Sequence, residues 1–115
     1  MRQDCIFCKI AAKELPAKVI YEDEFMLAFP DINPAAPVHA LIIPKKHIAN
    51  LLELQSEDSD LLAHIMLTIP KIASQLGLAD DGFRLVVNTK DNGGQTVQHL
   101  HWHILGGRFM TWPPG

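Results

Sequence analysis

Three histidines, His99, His101 and His103, occupy every second position of His99-Leu100-His101-Trp102-His103-Ile104-Leu105. Strict alternation has the period of a β-strand. Successive side chains on a strand point to opposite faces, so the three imidazoles are expected on one face and Leu100, Trp102 and Ile104 on the other. Imidazole titrates near neutrality and serves as nucleophile, general base or metal ligand. The histidine face is therefore a candidate catalytic centre or metal site. On one strand the outer two Cα atoms stand about 13 Å apart. All three histidines can seldom reach one ion, although a pair could with help from His39.

Just upstream, Gly93-Gly94-Gln95-Thr96 predicts a turn whose glycines let backbone N–H groups converge on an anion with no Cβ in the way. That would bring a phosphate to the imidazoles. Attack on phosphorus needs one neutral histidine with one ring nitrogen bare and the other held by a hydrogen bond. A middle histidine, His101, suits that role. Its neighbours can supply positive charge or hydrogen bonds to the phosphoryl oxygens. A phosphorus–histidine adduct is labile, so water can complete a two-step displacement.

Positioning such a centre takes a sheet. Residues 19–21 and 25–29, separated by Glu22-Asp23-Glu24, predict a hairpin, and residues 38–43 a third strand stopped by Pro44. Residues 83–88 predict a fourth strand and the histidine segment a fifth, the two antiparallel. The opening segment from Cys5 to Pro16 leaves room for a helix of about two turns. From 59 to 76, Leu61, Leu62, Ile65, Met66, Ile69, Ile72, Ala73 and Leu76 recur at helical spacing. This long helix is expected to start on Ser56 or Asp58, bend at Pro70 and end at Gly77. His64 reads as a packing or surface residue and Lys45 and Lys46 as solvated. Strands grouped on either side of one long helix predict an α+β fold: a five-stranded antiparallel sheet with one long and one short helix.

With 115 residues, the chain is expected to be a single domain, 1–115. A net charge of −3 opposes non-specific nucleic-acid or anionic-membrane binding. No apolar run approaches the ~20 residues that span a bilayer, and Met1-Arg2-Gln3-Asp4-Cys5 lacks the apolar core of a signal peptide. The expectation is a cytoplasmic protein that binds neither nucleic acid nor membrane. In a reducing compartment Cys5-x-x-Cys8 is a metal or redox element rather than a structural disulfide. The aromatic tail Phe109-Met110-Thr111-Trp112 is expected at a subunit contact.

These segments carry a resemblance. His99-Leu100-His101-Trp102-His103-Ile104-Leu105 is similar to the signature of the histidine triad superfamily, as is Gly93-Gly94-Gln95-Thr96-Val97 before it. Ile6-Phe7-Cys8-Lys9-Ile10, Ala28-Phe29-Pro30-Asp31-Ile32, Ala36-Pro37-Val38-His39, Ile43-Pro44-Lys45-Lys46-His47 and Trp112-Pro113-Pro114-Gly115 resemble its nucleotide-binding protein branch. The resemblance implies a homodimer with a joined ten-stranded sheet, and hydrolysis of purine nucleoside 5′-phosphoramidates such as adenosine 5′-monophosphoramidate. It makes His101 the nucleophile that forms a nucleotidyl-histidine, with His103 and His39 flanking it. It places Gly94, Thr96 and Asn88 at the phosphate, Asp31 at the ribose, and Ile6, Phe7, Phe29, Ile32 and Leu41 around the base. Trp112 resembles a tail aromatic that reaches the partner's site. Thr96 stands where relatives more often have Ser; the retained hydroxyl implies altered rates rather than lost activity.

Cys5, Cys8, His47 and His99 together offer the donor set of a tetrahedral structural zinc, and some relatives bind zinc at corresponding positions. The other reading of the cysteines is two small buried thiols beside the opening helix. Alternatives for the whole protein are a dinucleoside polyphosphate hydrolase of the same superfamily, a metal-dependent hydrolase, and a nucleotide sensor or scaffold with little turnover. Without the resemblance, Asp31 reads equally as a turn residue among prolines, and His39 as a polar strand end.

Overall fold

The computed structural model describes residues 4–115; Met1, Arg2 and Gln3, on which part of the signal-peptide expectation rests, lie outside the described residues. Helix α1 (Ile6–Ala11) is followed by strands β1 (Tyr21–Glu22), β2 (Met26–Pro30) and β3 (Val38–Pro44), and by the long helix α2 (Ser59–Gln75). Strand β4 (Phe83–Val86), a short helix α3 (Lys90–Gly93) and strand β5 (Trp102–Gly106) complete the chain. The strands form one antiparallel sheet in the order β1-β2-β3-β5-β4. This is the α+β architecture expected from the strand and helix spacing.

Both faces of the sheet are covered. On one, Met26, Ala28, Ala40, Ile42, Trp102 and Ile104 meet Ile65, Ile69 and Ile72 of α2. On the other, Leu27, Phe29, Leu41 and Ile43 meet Phe7, Cys8 and Ala11 of α1. Two-sided burial explains why β2 is a continuous apolar run rather than an alternating one. Truncating a fully buried side chain such as Ile42 to Ala is expected to cost about 2–5 kcal/mol. Met66, expected on the buried stripe of α2, is exposed, as is Leu67 beside it.

The histidine segment departs from expectation at its start. Strand β5 begins at Trp102, so of the three histidines only His103 is a strand residue. Ile42 pairs with Trp102, and continuing that register would set Pro44 against Leu100. Proline has no N–H for the ladder, and the Leu100 N–H donates instead to the Ile48 carbonyl at 2.6 Å. The alternation of faces survives, since Leu100, Trp102 and Ile104 all lie in the α2-side core.

Several side chains expected to be solvated or to cap helices have other partners. Lys45 pairs with Glu22 at 2.7 Å, and Lys46 with Asp58 at 2.6 Å. Asp58 does stand at the start of α2, but its carboxylate accepts from Lys46 and the Gln55 N–H and makes no cap bond to the helix. His64 reaches from α2 to Asp23 in the β1–β2 turn, 2.6 Å away. Among the described residues no helix is long and apolar enough to cross a membrane.

Candidate active site

His39 and His103 come from adjacent strands on the face covered by α1. The β3–β5 register sets Leu41 opposite His103 and His39 opposite Leu105, which makes the two histidines diagonal neighbours on one face. The Ala35 N–H donates to His39 Nδ1 at 3.0 Å. With Nδ1 accepting, His39 carries its hydrogen on Nε2 and donates it to His103 Nδ1 at 2.9 Å. With Nδ1 accepting, a neutral His103 bears its remaining hydrogen on Nε2, and that buried atom has no partner. The arrangement leaves one ready donor aimed at whatever fills the site. Asp31 Oδ2 lies 3.5 Å from His39 Nε2.

His101, in the extended lead-in to β5, is held the other way round. Its Nδ1–H donates to the His99 carbonyl at 2.7 Å, leaving Nε2 bare. The rings of His101 and His103 are 5.0 Å apart, and Phe7 of α1 presses edge-on against His101 at 5.1 Å. Burial pushes His101 below the ordinary imidazole range, against the opposing pulls of the His99 carbonyl and the Asp31 charge. Burial, with neighbouring His101 and His39, brings His103 down to about 4. Both rings are therefore neutral at pH 7.

A cavity of about 460 Å³ opens onto these rings. Its walls include Ile6, Phe7, Phe29, Ile32 and Leu41, with Asp31, Thr96, His101 and His103 among the polar groups. An apolar pocket with a few convergent polar groups is the usual form of a small-molecule site. Sequence reasoning missed Ile10, Val97 and Lys18, which also line it. The irregular segment Pro16-Ala17-Lys18 gave no periodic signal that could have placed Lys18 there.

The remaining expected residues fall elsewhere. Asn88 and Gly94 are not among the residues lining the cavity. Gly94 caps α3 in a left-handed conformation, φ +80°. Its N–H donates to the Asp91 carbonyl, and the Gln95 N–H to Lys90. These two N–H groups are consumed by the turn, contrary to the expectation that they converge on an anion. Gln95, also missed, fixes this loop: its buried amide accepts from the Lys90 N–H and donates to the Ala49 and Val97 carbonyls at 2.8–2.9 Å. Trp112 is exposed beneath the Arg84 guanidinium, 5.8 Å from the ring centre, away from this chain's cavity.

Cys5, Cys8, His47 and His99 converge as the spacing suggested, their ligand atoms all within 4.8 Å of one another. The His99 Nε2–H donates to the Pro44 carbonyl at 2.8 Å, so Nδ1 is bare and faces Cys5 Sγ at 3.3 Å. A hydrogen bond on the far ring nitrogen is how metal-binding histidines are oriented. Burial lowers His99 to about 4, keeping it in the neutral form a metal needs. The set fits a tetrahedral zinc.

Comparison with known proteins agrees with this geometry. The HIT domain matches residues 12–110. An uncharacterized HIT-like protein of Synechococcus elongatus is 56% identical over 115 residues, covering all of both chains. Protein HitA of Neisseria gonorrhoeae is 54% identical over 103 residues, covering 90% of this chain and 95% of its own. Among solved structures, a HIT family hydrolase from Legionella pneumophila superposes with a TM-score of 0.95 at 55% identity, over 97% of this chain and 100% of that one. A histidine triad protein from Clostridium difficile gives 0.92 at 47% identity, over 96% of each. With the triad, the sheet and the matched span in agreement, the chain belongs to the HIT domain family, the histidine triad superfamily.

Proposed function

We propose that the protein hydrolyses purine nucleoside 5′-phosphoramidates, such as adenosine 5′-monophosphoramidate, at the P–N bond. The observation that carries this reading is the 2.7 Å hydrogen bond from His101 Nδ1–H to the His99 carbonyl, which leaves a bare, neutral nucleophile at the cavity wall. The base lies among Ile6, Phe7, Phe29, Ile32 and Leu41, the ribose hydroxyls on Asp31, and the phosphoryl group near Thr96, with Asn88 and Gly94, which do not line the cavity in this structure, as the further phosphate contacts the resemblance implies. His101 Nε2 attacks phosphorus as the P–N bond breaks. His103 Nε2–H donates a hydrogen bond to the departing nitrogen, which takes its proton from solvent and leaves as the amine, and His39 holds His103 in the tautomer that makes this bond. Water then attacks the nucleotidyl-histidine, the bond from phosphorus to His101 Nε2 breaks, the water's proton passes to solvent, and nucleoside monophosphate leaves. A zinc held by Cys5, Cys8, His47 and His99 would tie α1 to the lead-in of β5, a structural role with no part at the phosphorus.

The same reading includes a homodimer. Strand β4 is a sheet edge, and exposed Met66, Leu67, Phe83, Phe109 and Trp112 are apolar surface a second copy would cover. Trp112 would then reach the partner's cavity. Light scattering at micromolar concentration is expected to give twice the monomer mass; a monomer removes this part of the reading.

The decisive experiment measures turnover of adenosine 5′-monophosphoramidate by the parent and by His101→Ala, with and without a chelator, while assaying bound zinc. Turnover that survives chelation and falls at least about a thousandfold in the variant supports His101 as nucleophile. A parent that binds adenosine 5′-monophosphate without turning over the phosphoramidate makes the protein a nucleotide-binding one. Turnover lost on chelation with the fold intact puts a metal at the reacting centre.

A further inference from the structure

We propose that Cys5 and Cys8 form a reversible dithiol switch: closure to a disulfide dismantles the four-donor cluster and slows turnover at His101. Three observations on the geometry carry it.

The first is reach. Cys5 caps α1 and Cys8 lies in its first turn, the Cys8 N–H donating to Cys5 Sγ at 3.3 Å. Side chains three apart in a helical turn stand about 5–6 Å apart at Cβ. Their sulfurs already lie within 4.8 Å of each other, so a modest adjustment of one turn brings them into bonding geometry. Both cysteines are free.

The second is access. Cys5 borders a cavity of about 390 Å³, together with His47, Thr96 and Val97. Both cysteines are buried, Cys5 at 7% and Cys8 at 1% exposed, and of the two only Cys5 lines this cavity. An outside reagent meets Cys5 first, and Cys8 is the sulfur that resolves the adduct.

The third is coupling. Ile6 and Phe7 sit between the two cysteines and both line the nucleotide cavity. Phe7 touches the rings of His101 and His99. His99 is both a donor of the cluster, through Nδ1, and the residue whose carbonyl fixes the His101 tautomer. Drawing the first turn of α1 together moves Phe7 against His101 and takes both sulfurs from His99 and His47.

The oxidant is a low-molecular-weight disulfide. The Cys5 thiolate attacks one of its sulfurs, the S–S bond breaks, and one thiolate leaves. The Cys8 thiolate then attacks Cys5 Sγ in the mixed disulfide and expels the second. Two cysteine thiols are oxidised to one disulfide, one external disulfide is reduced to two thiols, and the cysteine protons pass to the thiolates released. A sulfur engaged in the S–S bond no longer serves as a thiolate ligand, so closure and cation binding exclude one another.

The test treats the reduced, zinc-loaded full chain with excess oxidised glutathione. Intact mass, free thiols, zinc release to a chromophoric chelator and phosphoramidate turnover are followed together. The expected result is a mass lower by two hydrogens, two thiols lost and one zinc released per chain. Turnover falls at least about fivefold and is restored by a thiol reductant with zinc. Chelation of the reduced protein, which leaves all four donors in place, changes turnover by no more than about twofold. Cys8→Ser stops at a glutathione adduct on Cys5. Cysteines that stay reduced, an adduct that never resolves in the parent, or a disulfide with unchanged turnover overturns the proposal. The turnover arm rests on the substrate reading above, but the two failures are distinguishable: inert reduced protein counts against the substrate, whereas mass and zinc report on the switch alone. If Cys8→Ser does not fold, the parent's mass and zinc release still decide.

Discussion

His39 Nε2 lies 2.9 Å from His103 Nδ1, a link between the side chains of β3 and β5 that no backbone pairing requires. Because the Ala35 N–H occupies the other nitrogen of His39, the hydrogen between the two rings belongs to His39. The consequence is a unique tautomer for His103 and an unsatisfied, buried Nε2–H. An orphaned buried donor costs about 1–3 kcal/mol, and among the side chains of the described residues it falls at His103 Nε2, whose ring lies 5.0 Å from that of His101. On the proposed reading a substrate oxygen or leaving nitrogen would supply the missing partner and relieve that cost on binding.

Replacing His39 by Ala frees His103 to adopt either tautomer without removing it. The expected outcome is a fall in kcat of about ten- to a hundredfold, at or below the 10²–10³ lost when one transition-state hydrogen-bond donor is removed, with KM changed less than about threefold. Steady-state kinetics of the phosphoramidate check this; an equal loss in His39→Ala and His101→Ala would give His39 a more direct part in the chemistry.

The pH dependence follows from His103, whose folded value is depressed to about 4 by burial. A depressed histidine is neutral above its folded pKa, so turnover should not decline at the ordinary imidazole value near 6.5. Activity is expected to hold as pH falls from 7 to about 5 and to drop toward 4. Stability follows the same window: below 6.5 the unfolded chain takes up a proton that the folded one refuses, so stability is lost as pH falls from 6.5 to about 4. Urea midpoints across that range should decline with acidity, and a His103→Gln variant should decline less.

Gly106, at the end of β5, has no room for a side chain. A Cβ there would meet Leu78 Cδ2 at 2.6 Å and Cδ1 at 2.9 Å, and Leu78 is buried in the α2-side core. Gly106→Ala is expected to lower stability by about 1–3 kcal/mol through overpacking. Adding Leu78→Val should recover part of the loss, a non-additive pair that urea unfolding of the single and double variants would reveal.

The strands and both main helices were legible because their apolar residues keep a period, and the donor clusters because their residue types are rare on an ordinary surface. What escaped depends on partners distant in sequence. Nothing near Pro44 announces that its missing N–H ends the ladder opposite Leu100, so His99 and His101 were placed on a strand that starts only at Trp102. The pairing of Lys46 with Asp58 across 12 positions and of Lys45 with Glu22 across 23 left no local trace. Lys90-Asp91-Asn92-Gly93 reads as a turn by composition. It closes into α3 with Lys90 at φ +58°, a conformation a non-glycine residue adopts at some cost.

That cost is met by Gln95, whose side-chain oxygen accepts from the Lys90 N–H while its nitrogen donates to Ala49 and Val97. Gln95 thereby ties the loop that carries Thr96 to the segment after His47. Gln95→Leu keeps the volume but leaves one N–H and two carbonyls, on exposed Lys90 and half-buried Ala49 and Val97, without that partner, an expected loss of about 1–2 kcal/mol. Because the loop borders the cavity, KM should rise more than kcat falls, the opposite of the split expected for His39→Ala. Unfolding and steady-state kinetics on the one variant test both halves. A stable protein with unchanged KM would mean that the backbone alone sets the loop, and the left-handed Lys90 would need another source of support.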